Sequence, residues 1–248
     1  MKKIILTFDL DGPIGIINST LPYNFGFNYI LQEQKNVIEI IDILKQNKIK
    51  ATFAITGFSA EKSVKHFELT NIIKKISEAG HEIASHSWKH ENFSKITTDV
   101  AKKSLRRSKL VLNNEVVGFI PPHNRPMTWL KKCRISIRED RIFPFKKTGD
   151  ISGIISILKS EGYKWIRISN NSIFKRMKFN SNITKIYFYN KILIIDGHYC
   201  GFDENIIDKI ISSDSNQVFC ISAHPAMFSF KNKNESKENF LFFIKKNE

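Results

Sequence analysis

Cysteine is scarce in this 248-residue chain: only Cys133, Cys200 and Cys220. Three scattered thiols exclude a disulfide framework and a cysteine-based zinc site, and they fit a reducing, cytoplasmic setting. Long apolar runs are also missing. The start, MKKIILTFDLDG, breaks at Asp9, too short for a signal-peptide core. No stretch approaches the roughly 20 apolar residues of a membrane span. Phe240–Ile244, followed by Lys245 and Lys246, leave a peripheral membrane contact open, with packing of a C-terminal helix the favoured reading. Acidic residues are few, 24 against 39 Lys and Arg, for a net charge of +15 and a pI near 9.7. Such a charge suits nucleic acid, an anionic glycan or a membrane surface. The missing helix-turn-helix, finger and RNP patterns argue against nucleic acid. Between Lys102 and Lys147 stand thirteen Lys and Arg against Glu115, Glu139 and Asp140, which makes either a solvated basic face or a docking surface for a phosphorylated substrate. With 11 Gly and 7 Pro there is no Pro/Gly-rich linker, and no repeat, so one domain over 1–248 is expected.

What is present is core-forming material: 42% hydrophobic residues, including 20 Phe, which excludes a disordered chain. Short β-branched runs alternate with longer amphipathic ones. Strands are expected at 3–8, 51–56, 82–85, 116–120, 164–168 and 218–222, with a strand pair within 185–195. Helices are expected at 33–46, 69–79, 94–112 (Ser94 as its cap), 151–161 and 204–211, and from about 237. This alternation indicates βα units around a mostly parallel sheet, with active-site residues at the C-terminal strand ends.

Three strand ends carry chemistry. In Phe8-Asp9-Leu10-Asp11-Gly12 the two acids are two residues apart. On extended chain they point to one side, about 6.6 Å from each other, and such a pair calls for a cation or a shared proton. In His86-Ser87-Trp88-Lys89-His90 the i, i+4 spacing would put both imidazoles on one face of a helical turn, able to chelate one ion with a carboxylate as third ligand. Zn²⁺ is the default for such a site, and Co²⁺, Ni²⁺ or Fe²⁺ also suit its N and O donors. In Ser222-Ala223-His224-Pro225 a histidine ends the last strand, as a general acid facing the metal would.

FDLDG, HSWKH, FIPPHN and SAHP, in this order, resemble the motifs of the polysaccharide deacetylase (NodB-homology) family of metal-dependent carbohydrate esterases. The resemblance implies an α/β fold, a distorted and incomplete (β/α) TIM-like barrel. Carried onto this chain, it implies Asp9 as general base, Asp11, His86 and His90 as metal ligands, and His224 as general acid. Pro122, His123 and Arg125 would line the substrate site, with a backbone N–H near Pro122-His123 facing the oxyanion. The implied reaction removes an N-acetyl group from an amino sugar, with an N-acetylated sugar or a phosphorylated glycan precursor as substrate. The oligomeric state is not indicated.

Two motifs depart from the family pattern. Ile120 stands where an arginine orients the base, leaving Arg125 as the nearby substitute. Ser169-Asn170-Asn171 stand where an acid supports the late histidine, leaving Asp150 or Asp196 for that task. A catalytically silent, basic glycan-binding relative is therefore one alternative. A second is a haloacid-dehalogenase-type phosphatase, whose first motif DLDG resembles and whose second Thr56-Gly57 mimics. That alternative leaves HSWKH without a role and lacks the late paired acids.

Overall fold

The computed structural model describes residues 3–19, 27–62, 67–93, 96–113, 115–124, 151–168, 184–213, 216–231 and 233–247. In chain order the elements are β1 (Lys3–Leu10), α1 (Gly12–Ser19), α2 (Phe27–Gln46), β2 (Thr52–Ile55), α3 (Thr70–Glu78), β3 (Glu82–Ser85) and α4 (Thr98–Val111). There follow β4 (Gly118–Phe119), α5 (Ile151–Ser160), β5 (Trp165–Ile168), β6 (Lys185–Tyr189), β7 (Ile192–Asp196), β8 (Tyr199–Cys200), α6 (Glu204–Ser212), β9 (Val218–Ala223) and α7 (Lys237–Asn247). The strands form one curled sheet in the order β6-β7-β5-β4-β3-β2-β1-β9-β8. Every pairing is parallel except β6 with β7. This is the expected α/β half-barrel.

Alternation along the strands separates two environments. Leu6, Phe8 and Leu10 of β1, Phe53 and Ile55 of β2, Ile166 and Ile168 of β5, and Phe219 and Ile221 of β9 join the core beneath the helices. Phe8 stacks on Phe53, with ring centroids 5.1 Å apart, and meets the edge of Phe240 from α7 at 5.8 Å. Phe240, Phe243 and Ile244 are thus buried by packing, whereas Leu241 and Phe242 of the same segment stay exposed. The intervening residues line the other face of the sheet: Thr7, Asp9, Ala54, Ala84, Arg167 and Ser222, all buried. Small side chains in the middle strands leave room there for polar groups from β1, β5 and β9.

Several elements differ from expectation, among them β8, which is additional, and α2, which begins at Phe27 and not at residue 33. Gly12-Pro13 opens α1, which sequence patterning did not indicate; proline is tolerated in a first helical turn because its missing N–H has no partner there. Ser94 lies outside the described residues, and Thr97 caps α4, its side chain accepting from the Val100 N–H. The basic face of α4 is partly committed to ion pairs: Arg106 Nε bonds Glu161 at 2.9 Å, and Arg107 bonds Glu61 at 3.1 Å. Arg107 also covers the Trp88 ring at 3.9 Å. No described helix is long and apolar enough to cross a membrane.

Candidate active site and metal centre

The candidate residues converge at the C-terminal ends of the parallel strands. Asp9 lies within β1, and Asp11 follows it directly. Gly12, at φ +64°, then turns the chain into α1, a backbone conformation that favours glycine. His86 and His90 follow β3, and Pro122 and His123 form a short 3₁₀ turn after β4. His224 follows β9. Arg125 lies outside the described residues.

Asp11, His86 and His90 come together: Asp11 Oδ1 is 3.3 Å from both His86 Nε2 and His90 Nε2. The helical turn expected for HSWKH is not how this is achieved. Residues 87–89 form a tight turn with Ser87 and His90 in the left-handed region, at φ 67° and 59°. The carbonyls of Ser87 and Trp88 accept from the Gly57 and Phe58 N–H groups, and the Trp88 N–H donates to Ser104 Oγ of α4. The i, i+4 spacing thus succeeds through a pinned turn. His123 packs its ring on His90 with centroids 4.9 Å apart, while Pro122 is buried.

The donor set fits a divalent ion. His86 Nδ1 lies 2.7 Å from the Ile120 carbonyl, which can only accept; Nδ1 therefore carries the proton and Nε2 presents a lone pair. That lone pair faces a carboxylate oxygen which is buried and has no hydrogen-bond partner of good geometry. Facing lone pairs repel unless a cation lies between them. Ligands about 2.1 Å from a tetrahedral zinc stand about 3.4 Å apart, close to the 3.3 Å seen here. Burial would raise the Asp11 carboxyl; with no ion bound, a positive charge on His90 and hydrogen bonds from protonated His86 and His90 would hold it well below the usual carboxylate range instead, the same direction in which a cation bound by the neutral rings would act.

Asp9 has a partner that sequence reasoning missed. Arg167 Nη2 lies 2.5 Å from Asp9 Oδ2, with both side chains almost fully buried, and Arg167 Nη1 donates to Thr7 Oγ1. Burial would push the Asp9 carboxyl up; the Arg167 charge, then His86 and His224, lower it below its ordinary value. Arg167 is on β5, four strand spacings from β1, about 19 Å in a flat sheet and beyond an arginine's reach. Only the curl brings the two faces together. Arg167 thus supplies a guanidinium beside the base; the expected Arg125 lies outside the described residues.

The carboxylate on His224 is Glu235, not Asp196; Asp150 lies outside the described residues. Glu235 Oε2 is 2.8 Å from His224 Nδ1 and also accepts the His224 backbone N–H. Burial works against a charged His224, but hydrogen bonds to Cys200 and Glu235 and the charges of Glu235 and Asp11 raise it well above its ordinary value. With Nδ1 held by Glu235, Nε2 is the free proton-bearing edge. Glu33 of α2 is a third missed group, fully buried, with no well-formed hydrogen bond to either carboxylate oxygen among the described residues. Burial first, and the nearby Asp11 charge second, push its carboxyl up to about 8. No family motif in the sequence marks Arg167, Glu235 or Glu33. The single available signal was alternation on β5, which places residue 167 on the face opposite Ile166.

Comparison with known proteins shows the family and the fold. The family model for polysaccharide deacetylase matches residues 1–126. A peptidoglycan-N-acetylglucosamine deacetylase of Bacillus cereus is 35% identical over 88 residues, 36% of this chain and 30% of the relative. One of Listeria monocytogenes is 29% identical over 126 residues, 50% of this chain and 21% of the relative. The match thus spans under a third of the length of these two curated relatives. A Mycobacterium smegmatis protein assigned as a polysaccharide deacetylase superposes with TM-score 0.63 at 16% identity, over 99% of this chain and 83% of its own, which shows the shared fold. The phosphatase alternative falls, since HSWKH completes a site with the acid that motif would have claimed. By its family match over the half of the chain that carries Asp9, Asp11, His86 and His90, this protein belongs to the polysaccharide deacetylase family.

Proposed function

We propose that the chain is one catalytic domain that hydrolyses the N-acetyl group of an amino sugar within a glycan or glycan precursor, releasing acetate and a free amine. The observation that carries this is the Asp11–His86–His90 triad with a depressed carboxylate, Asp9, and a raised imidazole, His224, near enough to feel its charges. Groups whose environments drive their pKa values apart suit opposite proton-transfer roles. The curated relatives named for N-acetylglucosamine deacetylation support the same reaction class.

Asp11, His86 and His90 would hold a divalent ion, for which zinc is the first choice by donor type. Bound there, it supplies Lewis acidity toward the acetyl carbonyl and makes water a nucleophile near neutral pH. Asp9, ionised at neutral pH, accepts the proton of the attacking water, and Arg167 fixes the carboxylate's orientation. His224 enters protonated and donates from Nε2 to the departing amine while Glu235 holds Nδ1–H. Pro122 and His123, next to His90, would line the sugar site. A hydrogen-bond donor at the position of the developing oxyanion is worth about 2.7–4 kcal/mol in comparable acyl-transfer sites; the His123 backbone N–H is the candidate.

The test is acetate release from N-acetylated sugars, free, oligomeric and nucleotide-linked, alongside metal analysis. Asp9→Asn should abolish release while metal remains bound, and His86→Ala should lose both. Metal-free active protein, or release indifferent to His86→Ala, would overturn the proposal. A lower KM for phosphorylated than for neutral substrates would assign the basic segment to substrate docking; equal values would leave it a solvated face.

A further inference from the structure

We propose that Cys200, His224 and Glu235 form a second cation site, of thiolate, imidazole and carboxylate chemistry, which takes zinc and thereby inhibits the enzyme. Its metal-binding part stands on geometry alone, whereas the inhibition rests on the proposed role of His224. The three ligand atoms, Cys200 Sγ, His224 Nδ1 and a Glu235 oxygen, all lie within 4.8 Å of one another. They are separate from the Asp11–His86–His90 triad and come from three segments: edge strand β8, the end of β9, and the loop entering α7.

Parallel pairing in register places Cys200 beside Ser222, two residues before His224. The loop is pinned against the same edge, because the Phe202 N–H donates to the Asn234 carbonyl at 2.7 Å. Sγ stands 3.4 Å from Glu235 Oε1, close to the roughly 3.5 Å expected for sulfur and oxygen on one tetrahedral zinc. Nδ1 lies 2.8 Å from the other carboxylate oxygen, Oε2, nearer than two ligands stand on one zinc, so the carboxylate must turn to present one oxygen to the ion. Cys200 is exposed, which leaves a path for entry. Sulfur among the donors selects zinc, cobalt or cadmium over magnesium or calcium.

Binding exchanges two protons for one divalent ion. The thiol proton and the Nδ1 proton leave to solvent, a sulfur–metal and a nitrogen–metal bond form, and Glu235 binds as carboxylate. His224 then remains as a neutral metal-bound ring that yields its Nε2 proton far less readily than imidazolium does. The hydrogen bond from Nδ1 to Glu235 is lost at the same time. The leaving amine thereby loses its proton donor.

Cobalt titration of metal-free protein tests the site, since a sulfur-to-cobalt charge-transfer band appears in the near ultraviolet only when a thiolate binds. The band should appear in the parent protein, persist in Asp11→Asn and vanish in Cys200→Ser. No band, a band surviving Cys200→Ser, or one lost in Asp11→Asn would overturn the second site. Excess zinc should lower acetate release by the zinc-loaded parent by about a hundredfold, the lower end of what general acid catalysis supplies, relative to its rate at one equivalent. Cys200→Ser, referred to its own rate at one equivalent, should lose this sensitivity; equal inhibition of both proteins would overturn the inhibitory role. If neither protein releases acetate, the deacetylase proposal fails while the cobalt titration still decides the site.

Discussion

Replacing Arg167 with methionine separates the two jobs this arginine performs. Methionine keeps the unbranched stem, ending near the position of Nε, but removes the guanidinium from a carboxylate 2.5 Å away, in a pair exposed by only 0% and 2%. Removing one partner of such a buried pair costs about 3–5 kcal/mol, because the remaining charge loses its compensation without regaining water. The folding equilibrium should therefore fall by roughly two to four orders of magnitude at neutral pH. In the parent, the Asp9 pKa is depressed by folding. Its stabilising contribution is thus present above the ordinary value of 3.8 and lost as pH falls through the lower native value. In the variant, burial loses its main opponent and the Asp9 pKa rises. Protonation then relieves the penalty, so the stability difference should shrink as the medium is made acidic. Urea unfolding of the parent, Arg167→Met, Asp9→Asn and the double variant, all in chelator, would measure both effects. The double variant should recover stability over Arg167→Met, since it removes the stranded charge. A loss below about 1 kcal/mol, or double-variant values equal to the sum of the singles, would refute the reasoning. The catalytic readout is independent: the acidic limb of the kcat/KM profile should move to higher pH in Arg167→Met.

Three further outcomes are expected. Because folding raises the Glu33 pKa from 4.5 to about 8, the unfolded chain releases this proton first and stability drains as pH rises across that interval. Glu33→Gln should remove that slope and stabilise the metal-free protein at pH 8 by up to about 5 kcal/mol; parallel pH–stability curves would contradict this. Glu235→Gln should bring the alkaline limb of activity down toward the ordinary histidine value of 6.5, since activity is lost as pH rises through the pKa of His224; an unmoved limb would show that Glu235 does not support the acid. Gly15→Ala would put a Cβ 2.7 Å from Asp11 Cβ and 3.4 Å from His90 Cδ2. A clash of about 1–3 kcal/mol of the new methyl with the proposed ligand Asp11 should weaken zinc binding at least about tenfold, read by competition with a chromophoric chelator; an unchanged affinity would exclude strain at Asp11.

The alternation of β-branched and amphipathic segments is a local property, and it disclosed the βα order, the parallel sheet and the strand ends on which the candidate residues sit. Asp9, Asp11, His86, His90 and His224 were legible for a related reason. Each lies in a short motif next to a strand end, where chain direction alone aims it toward the site. The turn at 87–90 was not, because its left-handed residues depend on hydrogen bonds to residues 57 and 58 and to α4. Arg167, Glu235 and Glu33 were hidden more deeply. Their partners are 158 residues away for Arg167 and 11 for Glu235, and no spacing rule connects them. Period-two alternation could say that residue 167 faces away from the helices. Sheet curvature alone decided that this face meets Asp9, because a distance of about 19 Å in a flat sheet becomes a hydrogen bond only when the strands close toward one another.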